Sequence, residues 1–129
     1  METLLRAALL DWLTGDPAIS GSLNSITEEA PVSASAPWLG IAASASTDWG
    51  SKTEPGREVR IALELHTRGD DPAGDGALVR QIDKRVQALP RMQAGFAVIT
   101  ARFLRARAEH RARNLLSVLL EYRFRVLTS

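Results

Sequence analysis

Leu4, Leu5, Ala8, Leu9, Trp12 and Leu13 recur at three- and four-residue spacing, which predicts a helix with one buried stripe. Gly15 and Pro17 stop it, glycine as a left-handed cap and proline because it cannot continue the hydrogen-bond ladder. Small and turn-forming residues then dilute the pattern over residues 20–36, which hold at most one short strand around Leu23 to Thr27. The stretch PWLGIAASAS predicts a second strand. The clearest signal comes next. Val59, Ile61, Leu63, Leu65 and Thr67 alternate with Glu58, Arg60, Ala62, Glu64 and His66, the period of a strand with one buried and one solvated face. From Leu78 the helical period returns through Val79, Ile82, Val86 and Leu89, and Pro90 marks the exit. The matching stripes predict that Leu63 and Leu65 pack with Ile82 and Val86.

Residues 95–107 predict another strand through Phe96, Val98, Ile99, Ala101 and Phe103, whose broken parity points to a bulge. In the last strand Leu116, Val118, Leu120, Tyr122, Phe124 and Val126 alternate with Ser117, Leu119, Glu121, Arg123 and Arg125. The order is α-β-β-β-α-β-β. It implies an α+β fold, a mostly antiparallel sheet with two packed helices, in a single domain spanning residues 1–129. No internal repeat interrupts it.

Composition narrows the chemistry. A chain of 129 residues buries roughly two thirds of its unfolded surface, so it needs no metal or disulfide staple. It has no cysteine, which excludes disulfides and thiolate zinc sites. The first residues, METLLRAALLDWL, carry Glu2, Arg6 and Asp11, and so read as neither a signal peptide nor a membrane span. The net charge of +1 gives no global pull toward nucleic acid or membrane. Its distribution is uneven: seven arginines between Arg102 and Arg125 face only Glu109 and Glu121, while acids gather near residues 28, 54 and 70.

The segment LELHTRGDDPAGDGALVRQI, residues 63–82, holds the densest motif content. As a calcium loop beginning at Asp71 it places Ala73 and Ile82 where oxygen donors are needed. As a phosphate loop it lacks the lysine and hydroxyl that should follow Gly76. The Arg68-Gly69-Asp70 triplet is too short to identify an adhesion ligand. A strand-to-helix connection accounts for more of it: glycines for unusual backbone angles, Asp71-Pro72 for a turn, and Asp71 or Asp75 to cap a helix opening at Gly76. His66 and His110 are isolated, and His66 falls on the outward face of its strand. The serines occupy Ala/Ser/Pro-rich stretches without a nucleophile turn. Glu28-Glu29 and Asp70-Asp71 read as solvated surface acids. The pattern names no catalytic residue, cofactor or metal.

Two features stand outside this account. Trp38 and Trp49 flank the small-residue strand, each as readily an interface anchor as a core residue. Arg102, Arg105, Arg107, Arg111 and Arg113 lie around the turn expected between the last two strands, a candidate interface whose partners would be Glu28, Glu29 and Glu54 of an adjacent copy. With only Phe103 as an aromatic neighbour, contact with nucleic acid would go to phosphates rather than bases.

The leading helix LLRAALLDWLTGDPAI, the segment ending PWLGIA, the strand REVRIALELHTR, the acidic-glycine loop, the helix ALVRQIDKRVQAL and the closing pair FAVITARFLRARAEHRARNLLSVLLEYRF together resemble the tail completion or tail terminator proteins of long-tailed phages and gene transfer agents. The resemblance rests on element order and spacing over nearly the whole chain, since the family has no catalytic signature. It implies a structural, non-enzymatic role without cofactor or membrane. The expected form is a homo-oligomeric ring, usually of six subunits, that ends growth of the tail tube. The ring would contact the tail tube protein and a head-tail connector protein, and DNA would pass through without specific recognition. Its place would be the tail of a virion or virus-like particle assembled in the host bacterial cytoplasm. The loop from Thr47 to Arg57 would serve as an arm between neighbours. A head-tail stopper or neck protein, a nucleic-acid-binding module using the arginine end, and a small enzyme with an unrecognised site remain as alternatives.

Overall fold

The computed structural model describes residues 1–28 and 35–128. Its helices are α1 (Glu2–Thr14), α2 (Pro17–Ser22) and α3 (Pro72–Gln87). Its strands are β1 (Ser25–Thr27), β2 (Trp38–Asp48), β3 (Gly56–Thr67), β4 (Met92–Gln93), β5 (Phe96–His110) and β6 (Leu116–Thr128). They form one sheet in the order β1-β2-β3-β6-β5-β4. Only β1 and β2 run parallel; the other neighbours are antiparallel. This is the α+β arrangement that the periodicity predicts.

Two small elements add to the predicted order. α1 ends at Thr14 with Gly15 in right-handed rather than the expected left-handed geometry, φ −70°, and Pro17 opens α2, because proline lacks only an N–H that the first helical turn leaves free. Asp16 caps that helix by accepting the Ala18 N–H at 3.0 Å. The two-residue β4 is too short to show any period, and it pairs with Phe96 and Ala97 at the start of β5.

The helices cover one face of the sheet. Leu5, Leu9 and Leu13 of α1 and Leu78, Ile82 and Val86 of α3 join one apolar cluster with Val59, Ile61, Leu63 and Leu65 of β3 and Leu120, Tyr122, Phe124 and Val126 of β6. The four residues expected to meet, Leu63, Leu65, Ile82 and Val86, are all fully buried in it. The core is wider than that pair of elements, since α1 comes up against β1 and β2 while α3 lies beside β5.

A reciprocal clamp ties the helices together. The Trp12 indole N–H donates to the Arg85 carbonyl at 2.7 Å, Arg85 Nε donates to the Trp12 carbonyl at 2.8 Å, and the guanidinium stands 3.3 Å from the indole centroid. The Trp12 carbonyl near the end of α1 thereby gains a donor, the Arg85 carbonyl gains a second beside the Ala88 N–H, and a cation–π contact worth about 0.5–2 kcal/mol is added.

The motif-rich loop is a structural connection. The helix begins at Pro72, four residues before the expected Gly76, because Asp71 is its cap and accepts the Gly74 N–H at 3.1 Å. A Cβ at Gly74 would meet the Asp71 carboxylate, so a larger residue there would displace the cap. Asp75 instead accepts the Thr67 hydroxyl at 2.8 Å, and Thr67 Oγ1 accepts the Gly69 N–H at 3.3 Å. Gly69 has φ of +70° and leaves no room for a Cβ beside the Asn114 carbonyl oxygen. Strand, loop and helix are thus pinned by the residues that had suggested a ligand site.

Candidate functional site: the helix-free face of the sheet

Directly paired residues in antiparallel strands share a face, so the register assigns every side chain of the face opposite the helices. Glu58, Arg60, Ala62, Glu64 and His66 of β3 lie opposite Arg125, Arg123, Glu121, Leu119 and Ser117 of β6. On the β2 side the same face carries Trp38, Gly40, Ala43, Ala45 and Thr47. On β5 it carries Thr100, Arg102, Arg105, Arg107 and Glu109.

The arginines of β5 reach one face through a bulge. Arg102 and Arg105 are three residues apart, which would send them to opposite faces of a regular strand. The register shifts between Phe103 and Arg105, so Leu104 is extra and parity reverses there. A second shift lies between Val98 and Thr100, where the broken apolar parity predicts one. The strand also runs to His110, three residues beyond the expected end. Arg102, Arg105 and Arg107 are therefore strand residues, and only Arg111 and Arg113 belong to the connecting turn. In that turn Arg113 and Asn114 adopt left-handed angles, φ 63° and 61°, and Arg111 N–H donates to the Leu115 carbonyl at 2.7 Å.

Most of these arginines are paired within the chain. Arg105 binds Glu121 through two nitrogens, one of them Nη2 at 3.3 Å from Oε1. That hydrogen bond holds the Glu121 carboxyl below its usual range against the opposing effect of burial, and the charges of Arg105, Arg107 and Arg60 add to it. The same bond raises the Arg105 guanidinium. Glu109 lies between Arg107 at 3.6 Å and Arg111 at 3.5 Å. Glu58 lies 3.1 Å from Arg125 and 3.8 Å from Arg123. Arg102 and Arg113 have no ion pair among the described residues. Of the acids expected as intermolecular partners, Glu28 is held by Arg6 at 2.6 Å, Glu29 lies outside the described residues, and Glu54 is exposed in the turn between β2 and β3.

The tryptophans are half-buried and engaged. Trp38 stacks on His66, with centroids 4.1 Å apart and planes 10° from parallel. The Arg125 guanidinium lies over the Trp49 ring, 5.5 Å from the ring centroid, and the Trp49 backbone N–H donates to the Gly56 carbonyl at 3.1 Å. The expected Thr47–Arg57 arm is shorter than its sequence suggests. Pairing continues to Asp48 and Arg57, leaving a turn in which Ser51 N–H donates to the Glu54 carbonyl at 2.9 Å.

His66, Glu64 and Ser117 meet beside Trp38, yet their order is wrong for nucleophilic catalysis. Glu64 touches His66 Nε2 and also accepts the Ser117 hydroxyl at 3.3 Å, so carboxylate rather than imidazole faces the serine. Ser117 is also only 1% exposed. Next to this cluster a groove of about 510 Å³ crosses the sheet, floored by Ala43, Ala45 and Ala62 and walled by Arg60, Leu104 and Arg105. Among the described residues no group of three or more His, Cys, Asp or Glu could hold a metal ion, and no helix is long and apolar enough to cross a membrane.

Arg60, on this face, did not stand out in the sequence, and Arg123 did so only as one member of the basic run from Arg102 to Arg125. Each sits at an alternating solvent-side position that looks ordinary in its own strand, and only cross-strand register brings them beside Arg102.

Comparison with known proteins extends this geometry. No curated protein matches the sequence. Among solved structures, a chain from the virion of a native gene transfer agent particle superimposes with a TM-score of 0.82 over 97% of this chain and 96% of that one, at 19% identity. That likeness establishes a shared fold. The family model of tail completion protein gp17 matches residues 7–127, from the first helix to the end of the last strand, and on that match the chain belongs to the tail completion protein gp17 family of structural phage-tail proteins.

Proposed function

We propose that this protein is a tail completion subunit that ends growth of a tail tube and joins tail to head, acting as one sector of a closed ring of six copies. One side of the ring meets the tail tube protein and the other a head-tail connector protein, with DNA passing through the centre. The whole chain serves as one domain, and assembly takes place in the cytoplasm of the host bacterium. The observation that carries this proposal is the family match over residues 7–127; the fold shared with a chain of a gene transfer agent virion accords with it.

The turn after β5 is the natural place for a neighbour contact. Arg113 is exposed and unpaired among the described residues, and a left-handed backbone at an arginine is uncommon. Arg105, Arg107 and Arg111 contribute less, because their charges are already met in the chain.

Electron microscopy and mass measurement of the protein, alone and mixed with its cognate tail tubes, test the proposal. The expected result is a ring capping one end of each tube, with tube length no longer increasing. A monomer in both samples, with tubes that continue to grow, would overturn it.

A further inference from the structure

The helix-free face contains a row that packing within the chain does not explain. Arg60, Arg123 and Arg102 stand directly opposite one another on β3, β6 and β5. Adjacent strands are ~4.8 Å apart, so the three stems leave the sheet within about 10 Å. Like charges directly opposite one another destabilise a sheet. Two acids flank the row, and both are shared: Glu58 lies 3.8 Å from Arg123 and also serves Arg125, and Glu121, within reach of the Arg60 charge, is held by Arg105. Arg60 and Arg102 are exposed and have no ion pair among the described residues.

We propose that the Arg60–Arg123–Arg102 row is a contact for the sugar-phosphate backbone of duplex DNA. The inference rests on the tail reading for the presence of DNA, and on the row alone for its chemistry. Duplex DNA carries one charge per about 1.7 Å of axis, so a row this long faces several phosphates at once. Guanidinium forks match phosphate oxygens in pairs. The groove beside the row has an alanine floor, which lets a backbone approach the sheet closely. A second copy of this chain offers no matching row of acids: the exposed ones without an ion pair among the described residues, Asp11, Asp48, Glu54, Asp70 and the capping Asp71, are spread over α1, the end of β2, the β2–β3 turn and the loop before α3. The contact carries no base readout: Trp38 is covered by His66 and Trp49 faces the Arg125 guanidinium, and phosphate contacts do not report sequence. Flanking Glu58 and Glu121 keep the binding weak, as a passing duplex requires.

Fluorescence anisotropy of the full chain with a short random-sequence duplex, over a salt series, tests this. Three phosphate contacts give a log–log salt slope of about −2.7. Arg60→Gln with Arg102→Gln should bring the slope to about −0.9 and weaken binding at the lowest salt by about tenfold or more. Both side chains are exposed, so an unchanged melting curve verifies the fold. An Arg111→Gln, Arg113→Gln variant should retain the wild-type slope. The proposal is overturned if wild type fails to bind at low salt or if the Arg60/Arg102 variant keeps the wild-type slope. Equal, arginine-dependent binding of polyglutamate would also overturn it, by assigning the row to an acidic protein. Tube capping by wild type is scored separately: DNA binding without capping removes the tail role and keeps the row, whereas capping without DNA binding does the reverse.

Discussion

The two faces of this sheet are made by the same strands and obey different rules. On the covered face, alternate residues of β3 and β6 are apolar and at most 8% exposed from Val59 to Leu65 and from Val118 to Val126. On the bare face, the intervening positions are arginines and glutamates with Ala62 and Leu119 among them, held by register and a few ion pairs. The covered face specifies the fold because burying apolar surface is favourable wherever it occurs. The bare face contributes little to folding, and its side chains are free to be chosen for what they touch. Arginines set opposite one another, tolerable only on a surface that folding does not depend on, are the clearest sign of that freedom.

Truncating equivalent positions on the two faces should break the comparison if it is wrong. Leu63→Ala on the covered face is expected to cost ~2–5 kcal/mol, the range for a leucine removed from a packed core. Arg60→Ala on the same strand but the opposite face should change stability by less than about 0.5 kcal/mol. Urea unfolding measures both. Costs of similar size would mean that the bare face is part of the folding core.

The covered face was legible in the sequence because burial writes a period. Val59 to Thr67 alternates without interruption, and Leu78, Ile82, Val86 and Leu89 keep helical spacing, so the main strand and helix follow directly from residue type. The bare face was not legible, because its meaning lies between strands. Nothing local to β5 tells that Leu104 is extra, yet this one residue decides that Arg105 and Arg107 join Arg102. Nothing local to β3 singles out Arg60, whose significance depends on β6 and β5. The acidic-glycine loop was readable as a connection, but its details turned on tertiary neighbours: Asp75 answers to Thr67, and Gly69 to Asn114. The two-residue β4 and six-residue α2 fall below the length at which a period exists.

A polar exception within the covered face sharpens the comparison. Tyr122 is fully buried and donates its hydroxyl to Asp83 Oδ1 at 2.7 Å. Tyr122→Phe should cost ~1.5–3 kcal/mol, as for a hydrogen bond to a charged group. Burial, and then the hydrogen bond and charge of Asp83, push the phenol above its usual range. Its folded value thus exceeds its unfolded one, so the associated stability is fully present below about pH 10 and is lost as pH rises beyond it. The chain has one tyrosine, so absorbance reports this group alone. Phenolate should appear only as the protein unfolds in alkali, and Tyr122→Phe should flatten the alkaline fall in stability. Phenolate forming at the ordinary value in a folded protein would show that the covered face admits water at Tyr122.

The smallest expected effect lies one residue away in sequence and on the other side of the sheet. Glu121 is drawn below the usual carboxylate range by its hydrogen bond to Arg105, with the charges of Arg105, Arg107 and Arg60 assisting. A depressed folded value means that the pair supports folding above the unfolded pKa of glutamate and ceases to do so as pH falls through the folded one. Since Arg105 is exposed and Glu121 nearly so in electrostatic terms, solvent and salt screen most of this contribution. The measurable quantity is therefore the titration itself. The Glu121 carboxyl carbon, followed by NMR, should titrate below the ordinary glutamate midpoint in low salt and move toward it in high salt. Arg105→Gln should move it most of the way, and Arg60→Gln by less, because Arg60 acts through its charge alone. A Glu121 midpoint that ignored both substitutions would mean that the bare face is not organised by its cross-strand register, and the row proposed for DNA would lose its geometric basis.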